Sequence, residues 1–249
     1  MPYSNYVRYI KQVCDSNDLT SFKGNSEYRR ILEHVSQEEG QRYLNAIKQF
    51  TPMSLEDIRS FSTLNDSIGG PIKSVIDGLF ISPTNLRYIF HSHLILEHLY
   101  SLNIQNIDIV EVGGGYGGLC LALHYFADKY NIKIRTYTII DLTEPSRLQK
   151  IYLSQLHPSN NINFVDAITF GSNIQISNMF LISNYGFSEL SDSLQKEYID
   201  KLFPKVSHGF MAWCQTPLYN FGFNLIKEQT EFPLTGTYPG NKHNKYIYF

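Results

Sequence analysis

Residues 109–119, IVEVGGGYGGL, place five glycines within the six positions 113–118, directly after a short apolar run. Glycine lets the backbone approach a ligand closely, and a helix that follows such a turn offers N–H groups to it. A turn of this kind can hold a phosphate, a dinucleotide or an S-adenosyl group. The spacing of Gly113, Gly115 and Gly118 matches the dinucleotide fingerprint, which alone does not separate these ligands.

A second candidate for ligand binding is Asp141, which closes the apolar run TYTIIDL. An acid at the end of the second strand of a nucleotide-binding fold can accept hydrogen bonds from both ribose hydroxyls. The alternative is a helix N-cap, because the following residues, DLTEPSRL, lead into a predicted helix. Position and chemistry together favour the ribose role.

Further polar and aromatic side chains follow the later predicted strands. Ligands of open α/β sheets bind beyond the carboxyl ends of the strands, so residues placed there are candidates for contact with the reacting groups. Four follow the fourth strand, one ends the fifth, and one lies in the C-terminal hairpin: Ser183, Asn184, Tyr185, Glu189, Trp213 and His243.

Two of these residues could accept a proton from a substrate hydroxyl, which is a poor acid and needs a base close to it. Glu189 is the first candidate base and His243 the second. The alternatives are a carboxylate that stabilises a helix start for Glu189 and a solvated turn residue for His243. Both interpretations stay open from the sequence.

Aromatic and histidine side chains supply the candidates for binding an acceptor molecule. Tyr116, inside the glycine turn, is the aromatic residue most suited to touch a cofactor or an acceptor. Tyr185 and Trp213 could provide stacking surfaces, and Asn184 could provide hydrogen bonds. His91 and His93 are two positions apart on a predicted helix, so at most one of them faces a pocket; His91 is taken as the candidate.

These residues must be positioned by an α/β domain. After Asn103, short apolar runs alternate with helical stretches, which is typical of a parallel sheet. Helices are predicted near 116–130, 144–156 and 191–203. Strands are predicted near 107–112, 134–140, 162–165, 178–182 and 209–214, followed by a hairpin of 232–238 and 245–249 around PGNKHN.

The first hundred residues are predicted to be mostly helical. Apolar residues recur at spacings of three and four along 26–50, with Ser26 as a plausible N-cap. Ser54 is the expected N-cap of a second helix, and Ser82 and Pro83 open a third, while DSIGGPIKS forms a loop. The predicted domains are a helical N-terminal cap over 1–103, which would select the substrate, and a binding domain over 104–249.

The composition limits the kinds of binding partner, cellular location and metal site that the protein is expected to have. The net charge is −2, and lysine and arginine do not cluster, so a broad nucleic-acid footprint is not expected. No apolar stretch reaches the roughly 20 residues that span a bilayer, and no signal peptide is recognisable. Cys14, Cys120 and Cys214 show neither metal-ligand spacing nor a disulfide framework. We expect a cytoplasmic protein without a metal site, and the sequence leaves a homo-oligomer open.

The segment EVGGGYG resembles the first motif of class I S-adenosylmethionine-dependent methyltransferases, because Glu111 stands two positions before the first glycine. A dinucleotide enzyme more often carries an apolar residue there. The resemblance implies a Rossmann-like class I methyltransferase sheet with a C-terminal antiparallel hairpin, and S-adenosyl-L-methionine as cofactor. It implies these cofactor-binding residues: Glu111, Gly113, Gly115, Tyr116, Gly117, Asp141, Leu142, Asp166 and Ser183.

Within that family, the acid at Glu111 helps to organise the loop near the cationic methionyl group, and Asp166 is placed beside the adenine amino group. An ordinary turn aspartate is the alternative for Asp166. Five segments also resemble the sugar O-methyltransferases: EYRRILEHVSQEEGQRYL, SPTNLRYIFHSHLI, IVEVGGGYGGLCLAL, TIIDL and ISNYGFSEL.

The leading hypothesis is therefore methylation of a hydroxyl on a sugar or glycan. The alternatives are a methyltransferase for another small molecule or a protein side chain, a nucleoside-binding protein without catalysis, and an NAD-dependent oxidoreductase. Loss of polar groups after the fourth strand would mark the non-catalytic alternative, whereas Asn184 and Glu189 are present.

Overall fold

The computed structural model describes residues 4–156, 158, 161–169, 174–216, 218, 224–234 and 243–249. Contacts divide the chain into two compact units. We call Met1–Glu97, Gly115–Asn131 and Thr143–Asn160 the helical unit, and His98–Gly114, Ile132–Leu142 and Asn161–Phe249 the sheet unit. The two units alternate along the sequence. The division at residues 103/104 stays a prediction.

The N-terminal part of the chain is mostly helical. The helices are α1 (Ser4–Ser16), α2 (Ser26–Arg29), α3 (Gln37–Phe50), α4 (Leu55–Asp66) and α5 (Pro83–Ser101). The Ser54 side chain accepts a hydrogen bond from the Asp57 N–H, and the Asp57 side chain accepts one from the Ser54 N–H, so the predicted N-cap of α4 is confirmed.

Two features of this region differ from the sequence prediction. Residues 30–36 separate α2 from α3, and Asn25 rather than Ser26 caps α2, because its side chain accepts the Glu27 N–H at 2.9 Å. Between α4 and α5 the chain forms a short antiparallel pair, β1 (Ser74–Ile76) and β2 (Leu79–Ile81), that was not predicted.

The sheet unit contains seven strands: β3 (Asn106–Val112), β4 (Lys133–Asp141), β5 (Ile162–Asp166), β6 (Met179–Asn184), β7 (Val206–Trp213), β8 (Lys227–Thr230) and β9 (Lys245–Tyr248). Their order across the sheet is β5-β4-β3-β6-β7-β9-β8. β3 to β7 are parallel, whereas β9 is antiparallel to both β7 and β8. The Rossmann-like fold that the sequence predicts is confirmed.

Three helices follow the strands of the parallel part in chain order: α6 (Gly118–Phe126), α7 (Thr143–Leu156) and α8 (Asp192–Lys201). The five predicted parallel strands and these helices are observed within a few residues of their predicted bounds. In the C-terminal pair, the second strand is confirmed as β9, but the first is β8 at Lys227–Thr230 rather than 232–238. Residues 235–238 lie outside the described part of the chain.

The core of the sheet unit is apolar and continuous. Burial explains why the strands appear as runs of β-branched and aromatic residues rather than alternating patterns. Its members come from the strands, from the segment before β6, from residues 187–206 and from the C-terminus: Val110, Val112, Ile140, Ile174, Met179, Leu181, Phe187, Tyr198, Leu202, Phe203, Val206, Met211, Trp213, Ile247 and Phe249. Among the described residues, no helix has the length and apolar character to cross a bilayer.

Candidate active site

The strand order reverses direction between β3 and β6, which lie side by side and parallel. Ligands of open α/β sheets bind beyond the carboxyl ends of the strands at such a switch point. The residues that leave β3 and β6 are close together here. A Cβ built on Gly186 would lie 3.2 Å from the Val112 carbonyl oxygen and 3.5 Å from the Gly113 Cα. Only a residue without a large side chain fits easily between these two backbones.

Ser183 joins the same two strand ends from inside the sheet. Its hydroxyl donates to the Val112 carbonyl at 2.8 Å and accepts from the Phe187 N–H at 2.9 Å. The residue is fully buried. Ser183 therefore fixes the turn after β6 against the end of β3, a structural role that the sequence did not indicate.

The glycine turn uses the left-handed backbone conformation at three positions. Gly113, Gly115 and Gly117 have φ angles of +78°, +58° and +99°, which L side chains rarely adopt. Gly113 belongs to the sheet unit, and the other two belong to the helical unit. In the helical unit, a Cβ on Gly117 would lie 2.9 Å from Leu153 carbons, so this glycine is also required by packing.

Tyr116 is placed differently from the prediction. Its side chain is fully buried in the helical unit, where its hydroxyl accepts from the Asn65 amide at 3.0 Å and its ring lies 5.0 Å from the Tyr152 ring. The Lys23 ammonium is 4.3 Å from the centre of the Tyr116 ring. A ring enclosed in this way is not a stacking surface for an acceptor. Only the Tyr116 backbone remains a candidate for cofactor contact.

Asp141 ends β4 beside the glycine turn, within the sheet unit. One carboxylate oxygen accepts the Gly114 N–H at 3.0 Å, and the other accepts the Leu142 N–H at 2.8 Å. The side chain is half-buried, and Leu142 is exposed. An ionised carboxylate can accept several hydrogen bonds, so Asp141 stays a candidate for binding a diol.

Asp166 ends β5, the neighbour of β4. Its carboxylate accepts the Ile168 N–H at 2.8 Å, and its carbonyl accepts the Thr169 N–H at 3.0 Å. These bonds stabilise the turn after β5, and the predicted contact of Asp166 with an adenine stays a prediction. Its register partner on β4 is Asp141, so the two carboxylates stand at the same edge of the sheet.

Glu111 is buried in β3 and accepts a hydrogen bond from the Tyr137 hydroxyl at 2.9 Å. Burial raises the pKa of its carboxyl group to about 8, which the Tyr137 hydrogen bond partly opposes and the charge of Asp141 reinforces. A carboxyl group with this pKa is largely protonated at neutral pH. Glu111 therefore contributes to this edge mainly as a neutral hydrogen-bonding group.

After β6, the chain turns sharply at Tyr185, which has a φ of +66° although it is not a glycine. The Tyr185 hydroxyl donates a hydrogen bond to the Glu231 carboxylate. Glu231 is only 2% exposed, and its second oxygen accepts from the Asn244 amide at 3.1 Å. Sequence reasoning missed Glu231, because it follows a strand that was predicted at the wrong position.

The two predicted bases occupy different surroundings. Glu189 is exposed at the end of the short 3₁₀ helix Gly186–Glu189, and its carboxylate lies 3.9 Å from the Cys214 sulfur. His243 is half-buried, and its Nδ1 has no hydrogen-bond partner among the described residues. Asn184 is half-buried at the end of β6. Both base assignments and the Asn184 assignment stay predictions.

Two further substrate-binding predictions are corrected by burial. Trp213 is 1% exposed, packs against Phe187 at 6.1 Å between ring centres, and donates its indole N–H to the Thr216 carbonyl at 3.1 Å. His91 is fully buried in the helical unit, 6.1 Å from the Tyr43 ring. Neither ring is accessible to an acceptor. Among the described residues, no group of three or more His, Cys, Asp or Glu could hold a metal ion.

No protein-family model and no curated protein matches the sequence. Solved structures do resemble it. TrmK of M. capricolum, in complex with S-adenosyl-homocysteine, is 14% identical over 61% of this chain and 66% of its own, with a TM-score of 0.43. A SAM-dependent methyltransferase from Aquifex aeolicus is 14% identical over 61% of this chain and 86% of its own, with a TM-score of 0.44.

A third similar structure, Thermoplasma acidophilum 1320, is 12% identical over 79% of this chain and 96% of its own, with a TM-score of 0.46. The chain thus spans just under two thirds of the length of TrmK and nearly all of the Thermoplasma protein. The order of the seven strands gives the fold class. The fold is a Rossmann-like parallel sheet that is extended by an antiparallel pair of strands. The narrower resemblance to sugar O-methyltransferases stays a prediction.

Proposed function

We propose that the protein is an S-adenosylmethionine-dependent methyltransferase. The observation that carries this proposal is the Asp141 carboxylate, which stands at the switch-point edge and is held by the N–H groups of Gly114 and Leu142. Those bonds fix the orientation of the carboxylate at this edge, and a carboxylate can accept several hydrogen bonds, as binding of a ribose diol requires. S-Adenosylmethionine supplies a methyl group that is activated by the positive charge on its sulfur.

The charge of the sheet edge fits a cationic cofactor. The described residues that end or follow the strands there include Asp141, Asp166, Glu189 and Glu231 and no arginine. Lys245, the first residue of β9, is ion-paired with Glu228. Negative charge near a sulfonium lowers its electrostatic energy, whereas the same charge repels a polyphosphate. This difference supports S-adenosylmethionine over NAD.

The remaining cofactor contacts are proposed residue by residue. Gly113 and Asp141 would hold the nucleoside from the sheet unit, with Leu142 and Asp166 near the adenine and Ser183 fixing the turn. Glu111 would organise the loop from beneath. The remaining three contacts are proposed from the sequence motif alone. They involve Gly115, Gly117 and the Tyr116 backbone, which belong to the helical unit.

For the acceptor, we propose a hydroxyl of a sugar or glycan. An acidic edge repels phosphate backbones but can form hydrogen bonds with the hydroxyls of a neutral polyol. Asn184 and Tyr185 could bind such hydroxyls, and Glu189 and His243 are the proposed bases from the sequence. We also propose a cytoplasmic enzyme whose residues 1–103 contribute to acceptor selection, with self-association left open.

Calorimetry on the purified full chain tests the cofactor. We expect S-adenosylhomocysteine to bind with micromolar affinity and NADH not to bind in the same concentration range. Tight NADH binding without S-adenosylhomocysteine binding would replace the proposal with an oxidoreductase. If neither nucleoside binds at millimolar concentration, the enzymatic proposal is wrong.

Acceptor profiling tests the second half of the proposal. The protein is incubated with S-adenosylmethionine carrying a radiolabelled methyl group and with separate panels of saccharides, RNA and proteins. We expect label in the saccharide panel. Label only in protein would rule out the sugar acceptor while keeping the methyltransferase.

A further inference from the structure

Tyr185 lies next to the proposed cofactor-binding site within the sheet unit. It follows β6 directly, and the next residue, Gly186, approaches Gly113 so closely that a Cβ on it would lie 3.5 Å from the Gly113 Cα. Ser183, two residues before Tyr185, is hydrogen-bonded to the Val112 carbonyl at 2.8 Å. The turn that carries Tyr185 is therefore fixed against the start of the glycine turn.

The backbone of Tyr185 is held in a conformation that costs energy. A φ of +66° with a tyrosine side chain is sparsely populated and persists only where the surroundings enforce it. The Tyr185 N–H donates to the Ala212 carbonyl at 2.8 Å. Its carbonyl accepts from the Ser188 N–H at 3.1 Å and from the Ser188 hydroxyl at 2.7 Å. These bonds fix the backbone of Tyr185, and the hydrogen bond from its hydroxyl to Glu231 orients the side chain.

The hydroxyl end of Tyr185 meets a buried carboxylate. Glu231 accepts the Tyr185 hydrogen bond, and its second oxygen accepts from the Asn244 amide at 3.1 Å. The Glu231 N–H also donates to the Asn244 carbonyl at 2.8 Å, which fixes the segment after β8 to the start of β9. The pair thus links three strand ends: those after β6 and β8, and the one before β9.

We infer that Tyr185 and Glu231 form the proton-accepting pair for the acceptor hydroxyl, an inference that rests on the proposed methyltransferase function. Tyr185 is the catalytic residue, since its oxygen would touch the acceptor hydroxyl. Glu231 acts through Tyr185 and positions and polarises it. Glu189, the base favoured by the sequence, is exposed to water, whereas Glu231 is buried at a hydrogen bond from an oriented phenol.

The proton and the electrons balance in this scheme. The acceptor oxygen forms a bond to the methyl carbon as the carbon–sulfur bond breaks and its electron pair stays on sulfur. The acceptor proton passes to the Tyr185 oxygen while the Tyr185 proton passes to the Glu231 carboxylate. Glu231 ends as a neutral carboxylic acid and returns its proton to water after product release.

Two variants of the full chain, Tyr185→Phe and Glu231→Gln, test the pair. Both keep the shape of the side chain and remove one group of the proton path. General base catalysis contributes typically 10²–10⁴-fold, so we expect kcat for a saccharide identified by the panel to fall about 100-fold or more. The affinity for S-adenosylhomocysteine and the KM for S-adenosylmethionine should change by less than about threefold, because neither variant removes a group from the proposed cofactor contacts.

Tyr246→Phe is the matched control. The Tyr246 hydroxyl donates to the Phe232 carbonyl at 3.2 Å in the same C-terminal region, but it lies outside the pair. We expect its kcat to match the original protein within about twofold, whatever its effect on stability.

A second measurement needs neither cofactor nor acceptor. With tyrosine labelled at the ring carbon that bears the hydroxyl, the NMR signal that disappears in Tyr185→Phe reports on Tyr185. This signal should move in Glu231→Gln, which replaces the carboxyl hydrogen-bond acceptor with an amide, and stay in place in Tyr246→Phe.

The outcomes separate the inference from the function on which it rests. Failure of the original protein to bind S-adenosylhomocysteine contradicts the proposed function. Binding and saccharide methylation with kcat unchanged in Tyr185→Phe or Glu231→Gln overturns the inference alone. An unmoved Tyr185 signal in Glu231→Gln overturns the inference as well. The inference is also overturned if the protein binds the cofactor but methylates no hydroxyl, because no hydroxyl proton then has to be accepted.

Discussion

At the scale of single residues, replacing Asp141 is the most direct test of the proposed cofactor-binding site. Replacing it with alanine removes a carboxylate that can form charge-assisted hydrogen bonds to a ribose and that accepts the Gly114 N–H at 3.0 Å. We expect the affinity for S-adenosylhomocysteine to fall by about 1–3 kcal/mol, measured by calorimetry.

The control for Asp141→Ala is Asp200→Ala. Asp200 is an exposed residue of α8 that is ion-paired with Lys196 at 3.0 Å. Its loss should leave the affinity unchanged. An affinity that Asp141→Ala does not alter would mean that the ribose binds elsewhere.

Glu111 makes the stability of the protein depend on pH. Its pKa rises from 4.5 to about 8 on folding, so between these values the folded chain binds one proton more than the unfolded chain. The stability it contributes is therefore complete below about pH 4.5 and is lost as the pH rises toward 8, at about 1.4 kcal/mol per pH unit. Urea unfolding from pH 5 to pH 9 measures this slope.

Glu111→Gln isolates this effect from other titrating groups. Glutamine can still accept the Tyr137 hydroxyl bond but does not ionise. The difference in free energy of unfolding between the variant and the original protein should grow in favour of the variant from pH 5 to pH 8. Parallel curves would show that Glu111 titrates near its ordinary pKa.

At the scale of elements, the start of α6 depends on Gly117 for two reasons that can be separated. Its φ is +99°, and a Cβ would lie 2.9 Å from Leu153 carbons. Gly78 has a similar φ of +81°, but nothing lies within 4 Å of its Cβ position. Gly78→Ala should therefore cost only the backbone strain, about 1 kcal/mol or slightly more, and Gly117→Ala about 1–3 kcal/mol beyond that.

Chemical unfolding of both glycine variants gives the two free energies. Adding Leu153→Ala to Gly117→Ala should recover part of the extra cost, because the smaller side chain leaves room for the new methyl group. Equal destabilisation by Gly78→Ala and Gly117→Ala would mean that Leu153 moves aside at no cost.

The elements predicted well are those with a strong local signal. The parallel strands from β3 to β7 are short apolar runs, and helices follow β3, β4 and β6 in the described part of the chain. Ser54 and Pro83 mark helix starts by their own chemistry. Apolar residues recur at helical spacing throughout 26–50, yet no helix covers residues 30–36. The spacing indicates which side chains are buried and does not show that the helix is continuous. β8 has only one residue that is not exposed, so its sequence, KEQT, lacks the alternation that would mark a strand.

For the candidate site, the sequence predicts the positions of residues at strand ends but not the burial or the distant contacts of their side chains. Strand ends follow from the pattern, so the sequence predicts that Asp141 and Tyr185 stand at the carboxyl ends of β4 and β6, where the structure has them. Burial of Trp213 and Tyr116 depends on packing partners that are distant in sequence, such as Phe187 and Asn65, and no local pattern reports them. The contact between Tyr185 and Glu231 also joins residues far apart in the chain.

At the scale of the whole molecule, the net charge predicts that the acceptor is not a nucleic acid. The net charge is −2, and the charged residues at the described strand ends of the candidate site are mainly acidic. Non-specific nucleic-acid binding requires clustered cations and typically gives dissociation constants of about 10⁻⁴–10⁻⁶ M. We expect fluorescence anisotropy to detect no binding of a labelled structured RNA at micromolar protein in low salt. Binding that weakens steeply with salt would contradict the sugar acceptor.

The alternation of the two units along the sequence has a consequence for how the protein is made. The chain passes between the units five times, at 97/98, 114/115, 131/132, 142/143 and 160/161. On the ribosome, residues 1–97 of the helical unit are therefore made before α6 and α7, which belong to the same unit. Until α6 and α7 are made, apolar helices such as α5 lack part of their packing partners and are exposed to aggregation. We therefore expect the expression yield to depend more on chaperone supply than for a protein with contiguous domains.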